Sequence, residues 1–208
     1  LVGELGIGGA ADPEFSYQYA LLLLRAGRPR EAAAILERVP PGGERERTLR
    51  MNLAEAWRRL GSFDDAETVL RGLLGGGDDD AVRLRLGRVL FSAKRFEEAL
   101  DLFGALPPTA ESMDRVAMCH HALGDNEAAL AWSLRANEAA PDEPIYLVNL
   151  AVIRAARGEL AIAGDLLRRA LEIDPENATA AYNLEQLERA TDEMRRRVKG
   201  VVPRRGMR

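Results

Sequence analysis

Apolar positions recur along this chain at the spacing of helix faces, and turn-forming residues interrupt them at regular intervals. The clearest stretch is NLAEAWRRLGSFDDAETVL, residues 52–70. Leu53, Ala54 and Trp57 share a helical face before Gly61, and Ala66 and Leu70 share another after it. The pattern predicts a helical hairpin turning at Gly61, with the small residues Ala54 and Ala66 where the two helices must touch. The same arrangement returns as NLAVIRAARGELAIAGDLLRRALEIDP, residues 149–175.

One landmark runs through the whole chain: a turn, a bulky residue, an alanine two or three places on, then a large residue four after that alanine. It appears as GRPREAAAIL (27–36), GSFDDAETVL (61–70), AKRFEEALDLF (93–103), GDNEAALAWS (124–133) and GELAIAGDLL (158–167). The anchors are Ala32, Ala66, Ala99, Ala129 and Ala163, spaced by 34, 33, 30 and 34 residues. The segments before each turn supply a matching first helix: Tyr19, Ala20 and Leu23; Leu53, Ala54 and Trp57; Leu86, Gly87 and Leu90; Val116, Ala117 and His120; Leu150 and Ala151. Pro107-Pro108 shortens the third unit, so its second helix is expected to stop near Leu106.

These residues resemble the tetratricopeptide repeat family, whose period is about 34 residues and whose pattern is W-x2-L-G-x2-Y, then A-x3-F, then P. The likeness covers about residues 13–177. It implies an all-α, right-handed superhelical solenoid of about five helix-turn-helix repeats with a capping helix at about 177–199. His120 and Arg154 stand where tyrosine is usual, and Ser133 where phenylalanine is usual. Residues 16–199 are expected to form a single domain and 200–208 a flexible basic tail. Residues 1–15 read as a disordered tag, a fusion junction or a tethered peptide, because Asp12-Pro13-Glu14-Phe15 looks like two translated cloning sites.

Composition narrows the function. Ala, Leu, Arg and Glu dominate and β-branched residues are sparse, which disfavours a sheet. A net charge of −4 argues against a nucleic-acid binder. No apolar run approaches the ~20 residues of a membrane span. The lone Cys119 favours a reducing, cytoplasmic setting, with a periplasmic or lipoprotein form lacking its signal as the alternative. High Ala, Arg and Gly usage fits a bacterial protein.

Chemistry-bearing clusters are few. Cys119-His120-His121 are consecutive on a helix, so their side chains diverge and cannot converge on one ion. Asp78-Asp79-Asp80 lack a calcium-loop pattern and read as helix-capping carboxylates. Arg195, Arg196, Arg197 and Lys199 read as cations suited to a helix C-terminus. No catalytic set, metal site or cofactor is expected, and the chain reads as a non-enzyme.

Family resemblance implies that the second, fifth, ninth, twelfth and thirteenth positions of each repeat line a concave groove. In this sequence the candidate partner-binding residues are Tyr17, Leu21, Leu24 and Arg25; Met51, Glu55, Arg58 and Arg59; Leu84, Arg88 and Phe91; Met118 and His121; Val148 and Val152. The set is apolar with an arginine edge suited to acidic side chains or a carboxylate. No lysine stands at the fifth positions, unlike members that clamp a terminal carboxylate. The expected function is a protein-interaction module binding a peptide or helical segment of a partner, in the manner of a secretion chaperone or assembly adaptor. The alternative is a self-assembling scaffold, or a pilus or motility assembly factor, whose groove or array ends bind another copy.

Overall fold

The computed structural model describes residues 13–39, 46–75 and 79–201. Residues 1–12, 40–45 with the Pro40–Gly43 break, 76–78 with Asp78 of the acidic run, and the tail at 202–208 lie outside the described residues. The described residues are helices joined by short turns, the all-α repeat architecture expected. The chain divides into two compact units between Leu106 and Pro107, where the repeat pattern predicts a single domain over 16–199. Pro107-Pro108 marks the division: α6 has already ended at Gly104, and the next helix starts only at Ala110.

Unit 1 holds α1 (Pro13–Arg25), α2 (Pro29–Leu36), α3 (Glu46–Leu60), α4 (Phe63–Leu74), α5 (Asp80–Ser92) and α6 (Phe96–Gly104). Each helix packs on the next, and the first helices of successive repeats, α1, α3 and α5, also touch side by side. Unit 2 holds α7 (Ala110–Ala122), α8 (Asn126–Ala139), α9 (Pro144–Ala156), α10 (Leu160–Ile173) and α11 (Ala178–Val201), stacked in the same way. α1 begins at Pro13, so residues 13–15 belong to the first helix rather than to a disordered leader. There Phe15 stacks on Tyr19 with ring centroids 6.2 Å apart.

Helix starts follow from local chemistry. Pro29 and Pro144 occupy first-turn positions where no N–H is needed. Asp79 caps α5, accepting from the N–H groups of Ala81 and Val82 at 2.8 and 3.2 Å. Thr109 and Ser112 form a reciprocal cap on α7, and Asp125 caps α8 through Ala128.

The hairpins close where the sequence places small residues. Ala32, Ala66, Ala99, Ala129 and Ala163 are fully buried, and Ala20, Ala54, Ala117 and Ala151 are at most 1% exposed. In the third repeat Gly87 takes this place, and a Cβ built there would sit 2.5 Å from the buried ring of Phe103. The intrarepeat turn is equally regular: Gly27, Gly61, Gly124 and Gly158 have φ between +71° and +84°. Lys94 occupies the same position in the third repeat with φ +62°, a conformation unfavourable for a residue with a Cβ. Where phenylalanine is usual in the second helix of a repeat, Ser133 is fully buried, its hydroxyl without a partner among the described residues.

Two substitutions therefore have opposite expected signs. Lys94→Gly relieves the left-handed turn and is expected to stabilise unit 1 by about 1 kcal/mol. Gly87→Ala gains helix propensity but overpacks against Phe103, for a net loss of about 1 kcal/mol. Thermal and urea unfolding of the two variants checks both signs.

Candidate functional site

The first helices of neighbouring repeats are tied by polar rungs at one register. In unit 1, Asn52 of α3 donates through Nδ2 to the Tyr17 hydroxyl of α1 at 3.2 Å. In unit 2, Asn149 of α9 donates to both carboxylate oxygens of Asp114 on α7, at 2.9 and 3.0 Å. Both rungs join position five of one repeat to position six of the next, 35 residues on. Asp114 is only 1% exposed, and burial pushes its carboxyl above the usual range while the Asn149 bonds oppose this. The repeat pattern assigns no role to Asn52 or Asn149; the Asn-Leu-Ala tripeptide shared by 52–54 and 149–151 is their signal in the sequence.

The face of unit 1 is organised around Glu55. Arg58 donates to it at 2.8 and 2.9 Å and Arg59 at 2.7 Å. Arg58 also reaches Ser92 on α5 at 3.1 Å, and Arg59 reaches the Leu24 carbonyl on α1 at 2.6 Å. The cluster thus bridges three helices. Burial alone pushes the Glu55 carboxyl up, but hydrogen bonds from Arg58 and Arg59 and the charges of Arg58 and Arg88 outweigh it and bring it down to about 2. Arg58 and Arg59, expected as an edge that reads a partner's carboxylates, are engaged by Glu55 three and four residues earlier. Arg25 is exposed and makes no ion pair among the described residues. Around the cluster Tyr17, Leu21, Met51, Leu84, Arg88 and Phe91 are half-buried, and Phe91 meets Phe96 edge-on at 5.2 Å.

Two candidate residues are not surface at all. Leu24 is 6% exposed within the core formed by α1, α2 and α3, and Val148 is 2% exposed against α10 and α11. Both lie where neighbouring helices close over them. Met118, His121 and Val152 remain half-buried on the face of unit 2.

Val152 opens into a cavity of about 330 Å³ between α9, α10 and α11. Ala155, Leu160 and Leu167 form much of its wall, and Asn183 and Gln186 of α11 stand along one side. No ionisable group lines it.

The family model for the tetratricopeptide repeat matches residues 17–81, 58–112 and 122–178. The chain belongs to the tetratricopeptide repeat family. Solved structures share the fold at low identity. TTC0263, a thermophilic tetratricopeptide repeat protein of Thermus thermophilus, aligns with TM-score 0.76 and 18% identity over 85% of this chain and 98% of its own. MamA from Desulfovibrio magneticus RS-1 aligns with TM-score 0.60 and 19% identity over 80% of this chain and 97% of its own. YrrB, a tetratricopeptide repeat protein with an unusual peptide-binding site, aligns with TM-score 0.54 and 18% identity over 84% of this chain and 92% of its own. No curated protein matches the chain.

Tetratricopeptide repeats are protein-interaction scaffolds, generally without catalytic activity. Burial pushes the Cys119 thiol up to about 12, which removes the thiolate a nucleophile requires. His120 faces Asp125 at 3.5 Å, and His121 meets the Asn126 side chain at 3.1 Å. Among the described residues no group of three or more His, Cys, Asp or Glu is placed to hold a metal. Nor is any described helix long and apolar enough to cross a membrane.

The Glu55 cluster has a pH signature. Its carboxyl is depressed in the folded chain, so its contribution is full above the unfolded value near 4.5 and fades as pH falls towards about 2. Glu55→Gln is expected to lower stability by about 1–2 kcal/mol at neutral pH. Urea unfolding of both proteins across that range should show the difference shrinking as pH drops; a constant difference would refute the assignment.

Proposed function

We propose that this chain is a non-enzymatic interaction module that binds a segment of a partner protein on the first-helix faces of its repeats, as an adaptor or chaperone-like protein. The observation that carries the reading is the half-open apolar set Tyr17, Leu21, Met51, Leu84 and Phe91 on the adjacent helices α1, α3 and α5. Core-forming residue types left partly accessible on three neighbouring helices form the kind of patch a partner covers. Met51, Tyr17 and Phe91 belong to the types enriched at such contacts. Arg25 adds an exposed cation at the edge of the same face. The fold likeness to YrrB, a repeat protein with a peptide-binding site, is consistent with it.

Leu84→Glu tests this reading better than a change at Phe91, whose ring also packs on Phe96. Affinity capture on immobilised wild-type chain, followed by mass spectrometry, is expected to retain a partner that Leu84→Glu loses with helicity unchanged. Equal retention by both proteins removes this face from consideration.

A second reading, self-assembly, is favoured by the outward face of α1. α3, α5 and α9 each pack on the preceding helix, and in α5 the third, seventh and tenth repeat positions, Val82, Leu86 and Val89, are all 2% exposed or less. Their equivalents in α1 include Phe15 and Leu22, which are 61% and 59% exposed. A second copy covering this stripe would give a mass that rises with concentration in light scattering and stays monomeric in Leu22→Glu. A wild-type monomer at every concentration excludes it.

A further inference from the structure

We propose that the arginine-rich end of α11 docks unit 2 on an anionic lipid surface, Arg195, Arg196 and Arg197 pairing with lipid headgroups together with the cations that follow them in sequence. This surface belongs to unit 2, not to the apolar face of α1, α3 and α5, and it takes a different class of partner.

Charge is unevenly distributed along the chain. The net charge of −4 divides into −2 over residues 1–106, −9 over 107–194 and +7 over 195–208. The stretch 195–208 holds seven cations, Arg195, Arg196, Arg197, Lys199, Arg204, Arg205 and Arg208, and no carboxylate. A segregation this sharp points to a charged partner rather than to solubility alone. A helix C-terminus accounts for cations within its last turn only. Arg195, Arg196 and Arg197 precede that turn of α11, which runs to Val201, and Arg204, Arg205 and Arg208 follow it in sequence.

The packing of unit 2 leaves these arginines open. α11 joins the core of α9 and α10 through Ala180, Leu184 and Leu187. Beyond that contact, residues 192–197 are all exposed. The Arg195 side chain is 76% exposed and meets Asp192 at 3.5 Å. Arg196 and Arg197 make no ion pair among the described residues.

A net-acidic unit can still meet an anionic surface, because its exposed charges of opposite sign sit at opposite ends. Arg195 lines a cleft with Leu160 and Ala161 at the start of α10. Exposed Asp142, Glu143, Glu172 and Glu176 lie at the other end, where α10 finishes and α9 and α11 begin. Along α11 the two ends are about 25 Å apart, roughly three Debye lengths at physiological ionic strength. At the arginine end Glu159 is already held by Arg154 and Arg157. Lipid fits this stretch better than nucleic acid does. Val198, Val201, Val202 and Met207 are interleaved with its cations, and it has no aromatic residue. Apolar side chains gain burial at a headgroup boundary, whereas single strands are held by aromatic stacking and duplexes by an extended basic face.

The test is sedimentation of the full chain with vesicles of phosphatidylcholine alone or with about 30% phosphatidylserine, in about 0.1 M salt. Binding is expected to be about tenfold or more tighter on the anionic vesicles and to be lost towards about 0.5 M salt. Arg195→Gln, Arg196→Gln and Arg197→Gln combined are expected to weaken it about tenfold or more with helicity unchanged. Arg204→Gln, Arg205→Gln and Arg208→Gln combined are expected to weaken it about five- to tenfold, and carry the test if the first variant loses helicity. Leu84→Glu is expected to leave vesicle binding unchanged, so the lipid surface and the protein-binding face fail separately. Equal binding to both vesicle types, no binding to either, or unchanged binding in both arginine variants overturns the proposal. So does tighter binding to single-stranded or duplex DNA of about 20 nucleotides, measured by fluorescence anisotropy and lost in the arginine variants, which would assign the stretch to nucleic acid.

Discussion

Two helices reach contact distance only where neither carries much more than a methyl group on the crossing line, and this chain meets that condition in every repeat. The pairs Ala20/Ala32, Ala54/Ala66, Gly87/Ala99, Ala117/Ala129 and Ala151/Ala163 are spaced alike, and each described alanine among them is essentially inaccessible. Close approach lets larger residues at neighbouring register positions fill the interior to native density. Gly87 shows how tight the condition is, since Phe103 occupies the space a single methyl would need. A hairpin built this way still leaves its flanks apolar, so stacking of the next hairpin follows from the same constraint.

The architecture was legible because that constraint is written in residue size at a fixed period. Ala anchors, turn glycines and the Pro107-Pro108 interruption each have a direct physical meaning, and the helices lie where those residues place them. Lys94 was harder to read: a lysine gives no sign that its backbone will turn left-handed until its register is aligned with Gly27, Gly61, Gly124 and Gly158. The division at Leu106 was legible as a break in helix but not as a boundary between compact units, which depends on how contacts distribute on either side.

The candidate face was legible only in part, because register position says which way a side chain points and not what meets it there. Leu24 and Val148 point as expected and are then closed over by adjacent helices. Arg58 and Arg59 looked like groups awaiting an anion, yet the Glu55-x-x-Arg58-Arg59 spacing already supplies one at three and four residues. That pairing was available in the sequence and outweighs a reading based on composition. The polar rungs needed a comparison across repeats rather than along one helix, since Asn52 and Tyr17 are 35 residues apart.

Recognition in a repeat protein must come from positions the packing rule leaves unspecified, and departures from the chain's own regularities are more informative there than agreement with them. Unit 1 departs by gathering arginines around one carboxylate, and that cluster bridges three helices through Ser92 and the Leu24 carbonyl. Its charge is largely spent on holding the face together, which leaves the half-open apolar side chains and the exposed Arg25 to meet a partner. Unit 2 departs in the opposite sense: small neutral residues replace bulky or charged ones, and a rung loses its acceptor at Val148, so that the half-buried Asn183 borders an apolar cavity instead. A buried polar network must be satisfied or it destabilises the fold, so an amide left open can persist only where water or a partner reaches it. Asn183 is half-buried and meets that condition, which sets it apart from Asn52, whose 8% exposure requires the internal partner it has in Tyr17.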